Sequence, residues 1–135
     1  MTRINLVPPS ELMDQHLMAE FREIKMIGPA LRRSLRSCKP HELCIPEEYV
    51  LGKGHVMFFY DKGEYLRKRH GQLVEELWFR GFNITYNEFP IEYFEREILR
   101  KDYSPTPAAL ALIRARIAEK LAARPGWYRY KGMAK

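Results

Sequence analysis

The segment between Thr106-Pro107 and Pro125-Gly126 constrains this chain most. A capping hydroxyl followed by proline opens a helix, because the missing proline N–H would have no intrahelical partner there anyway. Proline and glycine together close it. Between them Leu110, Ile113, Ile117 and Leu121 recur at helical spacing and form one apolar face. Arg116, Lys120 and Arg124 make a cationic stripe beside it.

Similar punctuation divides the rest of the chain. Glu64 to Arg80 reads as a helix with Leu66, Leu73, Val74, Leu77 and Trp78 on its apolar face, and Gly81 stops it. Val7-Pro8-Pro9 ends an extended N-terminal arm. Ser10 reads as an N-cap, with Glu11 and Asp14 near the positive helix end. The pattern predicts a helix from about Glu11 into the twenties, a break or kink at Gly28-Pro29 and a second helical stretch from Ala30 to Ser37. Residues 38–63 lack clean periodicity. Their run Val56-Met57-Phe58-Phe59-Tyr60 is short enough for a strand, but no partner strand is evident, which favours an irregular or short helical connector. Residues 82–105 are mixed. The 135 residues suffice for one core and not two. The expected architecture is an all-α single domain over residues 1–135. It has about three helices, an extended N-terminal arm and an aromatic, basic C-terminal tail.

No apolar run approaches the roughly 20 residues a bilayer requires. No signal core follows Met1, and two cysteines, Cys38 and Cys44, set no disulfide framework. A reduced, cytoplasmic setting is therefore expected. The net charge is +6. Residues 113–135 hold seven basic groups against Glu119 alone, so they carry the whole excess, interleaved with Trp127, Tyr128 and Tyr130. Cations interleaved with flat rings suit a polyanion that offers bases for stacking. A solvated basic tail would have the same composition.

Gly52-Lys53-Gly54-His55 does not meet the P-loop pattern and reads as a flexible loop. The histidines show no metal spacing, and neither a metal nor a cofactor is expected. In the first helix His16, Ala19 and Glu23 share a face, flanked by Gln15 and Arg22. By itself such a polar stripe reads as a solvated face. The chain terminus offers another reading. Methionine before threonine is usually removed, which leaves Thr2 with a free α-amine. At pH 7.4 roughly a quarter of such amines are neutral, against about 0.1% of unperturbed lysines. A neutral amine can attack a sugar C1′ and form an imine, and a carboxylate such as Glu23 can stabilise cationic sugar character or shuttle a proton.

The chain resembles the phage endonuclease V type of pyrimidine-dimer DNA glycosylase with abasic-site lyase activity. The matching blocks are Met1-Thr-Arg-Ile-Asn-Leu6, Asp14-Gln-His-Leu-Met-Ala-Glu20 with Arg22-Glu23, and Leu51-Gly with Gly54-His-Val56. Phe58-Phe-Tyr-Asp-Lys62, Leu66-Arg-Lys-Arg69, Arg80-Gly-Phe-Asn-Ile84, Arg124-Pro125 and Trp127-Tyr128 with Tyr130 follow in family order. The resemblance implies Thr2 as nucleophile and Glu23 as catalytic carboxylate, with Gln15 and His16 as active-site neighbours. Arg3 and Arg22 match phosphate-binding and lesion-positioning residues, and Arg116 and Lys120 match backbone contacts. Trp127, Tyr128 and Tyr130 match the aromatic tail near DNA, and Arg124, Arg129 and Lys131 beside them are expected to bind DNA as well. The implied partner is damaged duplex DNA, bound by a monomer in the nucleoid or, for a viral protein, in its host cell. Ile24-Lys25-Met26 departs from the family's Leu-Pro-Arg, so an arginine is missing at position 26, where Lys25 is the nearest cation. The same chemistry on another damaged base, and a non-catalytic DNA-binding module, remain open readings.

Overall fold

The computed structural model describes residues 3–85 and 88–134, without the side chains of Met133 and Ala134. Helices dominate it: α1 (Asp14–Glu23), α2 (Ile27–Leu35), the single-turn α3 (His55–Phe58), α4 (Gly63–Phe79) and α5 (Pro107–Ala123). A 3-10 turn, Ile24–Met26, joins α1 to α2, so the two form one interrupted rod. With α4 and α5 this gives three main rods, as expected. The only strands among the described residues are β1 (Arg129–Tyr130) and β2 (Met133–Ala134), paired as a short antiparallel hairpin.

The helix expected from Thr106 forms as read. Thr106 Oγ1 accepts the Ala109 N–H at 3.1 Å, and Pro107 follows in the first turn. In α4, Leu66, Leu73, Val74 and Leu77 are buried, and Gly81 follows the helix with φ 88°. Trp78 is a correction. It is 50% exposed, because the buried face of α4 runs through Leu77, Leu73 and His70 instead.

The start of α1 is a second correction. Ser10 caps nothing and lies in a 3-10 turn over Pro9–Glu11, and Met13 precedes the first α-helical residue. Leu12 and Met13 are buried and extended, so core packing overrides the local capping signal. The break or kink expected at Gly28-Pro29 falls just ahead of it, in the 3-10 turn Ile24–Met26, while both residues lie in the first turn of α2, where proline is tolerated. The second helix runs Ile27–Leu35 and not Ala30 to Ser37. Proline at 29 cannot donate to the Lys25 carbonyl four residues back, and the 3-10 turn falls there. Gly28 serves a close approach: a Cβ on it would lie 2.6 Å from Tyr93 Cδ2.

The core runs through Leu17, Phe21 and Ile24 of α1, Leu66, Leu73 and Leu77 of α4, and Phe58, Phe59 and Phe94 between them. Val56 to Tyr60 is the helical connector expected, not a strand. The N-terminal arm joins this core, with Ile4, Asn5, Leu6 and Val7 all buried. It is not fully extended, since Val7 N–H donates to Asn5 O at 2.6 Å around Leu6, whose φ is +61°. Among the described residues no helix is long and apolar enough to cross a membrane.

Candidate active site and DNA interface

One cleft of about 260 Å³ gathers side chains from four parts of the chain. The arm contributes Arg3 and Asn5, α1 contributes His16, Ala19, Glu20 and Glu23, and α5 contributes Arg116 and Lys120. Leu51, Gly52 and His55 close the remaining side. The helical spacing of His16, Ala19 and Glu23 places them along one wall, with the two ends roughly 10 Å apart along the axis. The spacing of four in α5 puts Arg116 and Lys120 on the facing wall. Of the residues singled out in the sequence, Arg3, His16, Glu23, Arg116 and Lys120 come together here.

Glu23 is half-buried, and its Oε2 is enclosed with no hydrogen-bond partner among the described residues. Burial raises its pKa, while the Arg3 guanidinium and backbone N–H pull it back down. His16 is buried, and its pKa is lowered to about 4 by burial, then by Arg3 and Lys120. It is thus neutral at pH 7, able to accept a proton but not to supply one. Its Nδ1 has no partner among the described residues, and its ring tilts against Tyr128 at 4.7 Å. Glu20 is neutralised by Arg69, which leaves Arg3, Arg116 and Lys120 to give the cleft a positive field suited to phosphate.

Thr2 lies outside the described residues. Arg3 is the first residue whose position is described, and it forms part of the cleft wall beside Glu23. Behind it the arm is fastened by a buried polar network. Ile4 N–H donates to His55 Nε2 at 2.8 Å, and Tyr49 Oη donates to Ile4 O at 2.6 Å. Asn5 donates to Glu20 Oε1 from its backbone at 3.1 Å and from Nδ2 at 2.8 Å. Arg69 pairs with Glu20 at 2.6 Å and donates to Val7 O at 2.6 Å.

Sequence reasoning missed this network. His55 is not part of a flexible loop: it opens α3, is 2% exposed and lines the cleft. The signal for Glu20 and Arg69 was present, though. Each interrupts an apolar helical face, Glu20 between Leu17 and Ile24 and Arg69 between Leu66 and Leu73, and the two carry opposite charges. Charged residues in such positions are buried only when paired.

The remaining predicted residues stand outside the cleft. Gln15 does not face it but holds the C-terminal hairpin, donating to Trp127 O and accepting from the Arg129 N–H, both at 2.9 Å. Tyr128 is buried, and Tyr130 donates to Ser10 O at 2.8 Å with the Arg80 guanidinium 4.2 Å from its ring centroid. The expected tail is therefore a docked element. Trp127 remains 43% exposed, with Arg124 stacked on it at 3.8 Å. Arg22 and Arg129 are exposed, Lys131 lies over Phe79 and Lys25 lies over Phe21. Met26 is exposed where the related pattern has arginine. Among the described residues no group of three His, Cys, Asp or Glu side chains could hold a metal.

The family model described as pyrimidine dimer DNA glycosylase matches residues 1–89. That is about two-thirds of the chain, and the chain belongs to this family. DNA repair glycosylase activity and a DNA substrate follow from membership. The matched region holds Glu23, His55 and Arg69, whereas α5 and the hairpin lie beyond it.

Proposed function

We propose that the protein excises ultraviolet pyrimidine dimers from duplex DNA and then cleaves the strand, using the α-amine of Thr2 exposed by loss of Met1. The observation that carries this reading is the shared cleft wall of Glu23 and Arg3. Arg3 is joined by one peptide bond to the residue that would bear the nucleophile.

The neutral amine attacks C1′ of the 5′ nucleotide of the dimer. The C1′–N bond forms as the glycosidic bond breaks, and the base departs with its electron pair. Ring opening gives a protonated imine. Removal of a C2′ proton then drives β-elimination, and the 3′ phosphate leaves with the C3′–O electron pair. Glu23 stabilises the cationic sugar and carries the proton, consistent with the opposed effects of burial and Arg3 on its carboxyl. Arg3, Arg116 and Lys120 hold phosphates, with Arg22 and the hairpin adding contacts outside the cleft. Extrusion of a base costs a few kcal/mol, less at a damaged site, which contributes to lesion selection. No cofactor enters these steps, and a monomer would contain every group named.

Sodium borohydride should trap a covalent adduct with dimer-containing duplex. Acetylating the N-terminus should abolish it, and trapping that survives would refute the amine as nucleophile. Glu23→Gln should lose strand cleavage by about 100-fold or more while still binding DNA; full cleavage by that variant would refute its role. The exposed Met26 favours one further reading, the same chemistry on a different damaged base. Incision of a lesion panel decides between them.

A further inference from the structure

The network behind Arg3 contains one group whose protonation state decides whether it can hold the arm. His55 Nδ1 lies 2.8 Å from the Val50 carbonyl oxygen, which only accepts, so Nδ1 carries the hydrogen. Nε2 lies 2.8 Å from the Ile4 nitrogen, whose N–H only donates, so Nε2 must be the bare acceptor. The two contacts together fix one neutral tautomer. The ring is held edge-on by Tyr49 and Phe59, with centroids at 5.2 and 5.5 Å. A second proton would set N–H against N–H in a site 2% exposed, and the Ile4 contact would have to open.

We propose that His55 is the positioning residue of the N-terminal arm, accepting the Ile4 N–H as its neutral Nδ1–H tautomer and so fixing where Arg3 and Ile4 lie relative to Glu23. This role rests on the Thr2 reading above, since it matters to catalysis only if the nucleophile is on the arm. The charged groups around the ring act in opposite directions: Arg3 on the arm disfavours imidazolium and Glu20 on α1 favours it, Glu20 itself being paired with Arg69 of α4. Burial is the largest influence and lowers the His55 pKa, so the neutral form prevails at pH 7. Tyr49, from the preceding segment, grips the Ile4 carbonyl on the other side of the same residue. Glu23, His16, Arg116 and Lys120 share the cleft that His55 lines.

Two substitutions separate the two ring nitrogens. His55→Gln keeps an acceptor near the Nε2 position and has no proton to gain. His55→Asn keeps a donor near the Nδ1 position and loses the acceptor. In the full chain, hydrogen-exchange protection of the Ile4 amide should be high in the wild type at about pH 7 and fall at least about tenfold once acid, below the ordinary imidazole range, protonates the ring. His55→Gln should retain that protection across the range. His55→Asn should lack it throughout and lower the single-turnover trapping rate about tenfold, with KM for dimer DNA changed less than about threefold. The proposal is overturned if the Ile4 amide of the Gln variant loses protection in acid as the wild type does. It is equally overturned if His55→Asn loosens Ile4 and trapping proceeds at the wild-type rate, or if Ile4 stays protected in it. If the Asn variant fails to fold, the acid response of the Gln variant decides alone. An acetylated wild type that still traps while Ile4 remains protected refutes the Thr2 reading itself, a result distinct from any of these.

Discussion

The two ends of this chain look alike in sequence, short irregular segments beside helices, yet opposite physics holds them. The arm from Ile4 to Val7 is buried by the core, and Glu20, Tyr49, His55 and Arg69 meet polar groups of Ile4, Asn5 and Val7. The C-terminal hairpin lies on the surface. Its backbone is clipped to α1 by Asp14, which accepts from the Lys131 and Gly132 N–H groups at 3.0 and 2.7 Å, and by Gln15. The contrast matches what the proposed function asks of each end. A nucleophile carried on a backbone terminus has no side-chain rotamer to fix it, so the chain itself must be immobilised. A basic surface that follows a polyanion gains from exposure, because neutralising phosphate requires access more than exact geometry.

Breaking the arm should cost most. Arg69→Met removes the partner of a carboxylate with no exposed side-chain surface and strips the donor from Val7 O. Loss of one member of a buried pair is expected to destabilise by about 3–5 kcal/mol, read from urea unfolding. A loss below about 1 kcal/mol would mean that the arm is held by apolar burial alone.

Acid sharpens the comparison next, because His16 lies between the two ends, lining the cleft and touching Tyr128. Its pKa is about 4 in the folded protein and 6.5 for the unperturbed side chain. Between those values the unfolded chain binds the extra proton, so this contribution is complete above about pH 6.5 and is lost as pH falls towards 4. It amounts to at most about 3 kcal/mol. His16→Gln should flatten the decline in urea stability over that window, although His55 and His70, both also lowered by burial, retain their shares.

The hairpin should yield more cheaply. Asp14→Ala removes the acceptor of two backbone N–H groups that have solvent nearby and leaves Arg80 its second partner, Glu76. About 1–2 kcal/mol of stability should go, with the Lys131 and Gly132 amides exchanging faster while Ile4 stays protected. Concerted loss of protection at both ends would break the distinction. Smallest in free energy is Arg116→Gln with Lys120→Gln. Stability should shift by under about 0.5 kcal/mol, since both side chains are exposed and the Arg116–Glu119 pair lies on the surface. The salt slope of undamaged-DNA affinity should nevertheless fall by about two if both touch phosphate.

Much of the cleft was legible because helical spacing is a local property. His16, Ala19 and Glu23 must share a face once α1 forms, and so must Arg116 and Lys120 once Thr106 and Pro107 start α5. Gln15 borders that face, and only the docked hairpin shows which way its amide turns. Trp78 was misplaced, since a residue at the edge of an apolar stripe is buried only if a neighbour covers it.

The sequence by itself determined the helices, the basic C-terminal end and the stripe that bears Glu23, because each depends on propensity, charge count or a period of a few residues. Only the tertiary structure decided that the arm is core, that Glu20 meets Arg69, and that His55 grips Ile4. Those partners stand far apart along the chain, 51 positions for Ile4 and His55, and no local rule pairs them. They pair because burying the arm strands its backbone N–H and C=O groups away from water, and the fold must supply a partner for each.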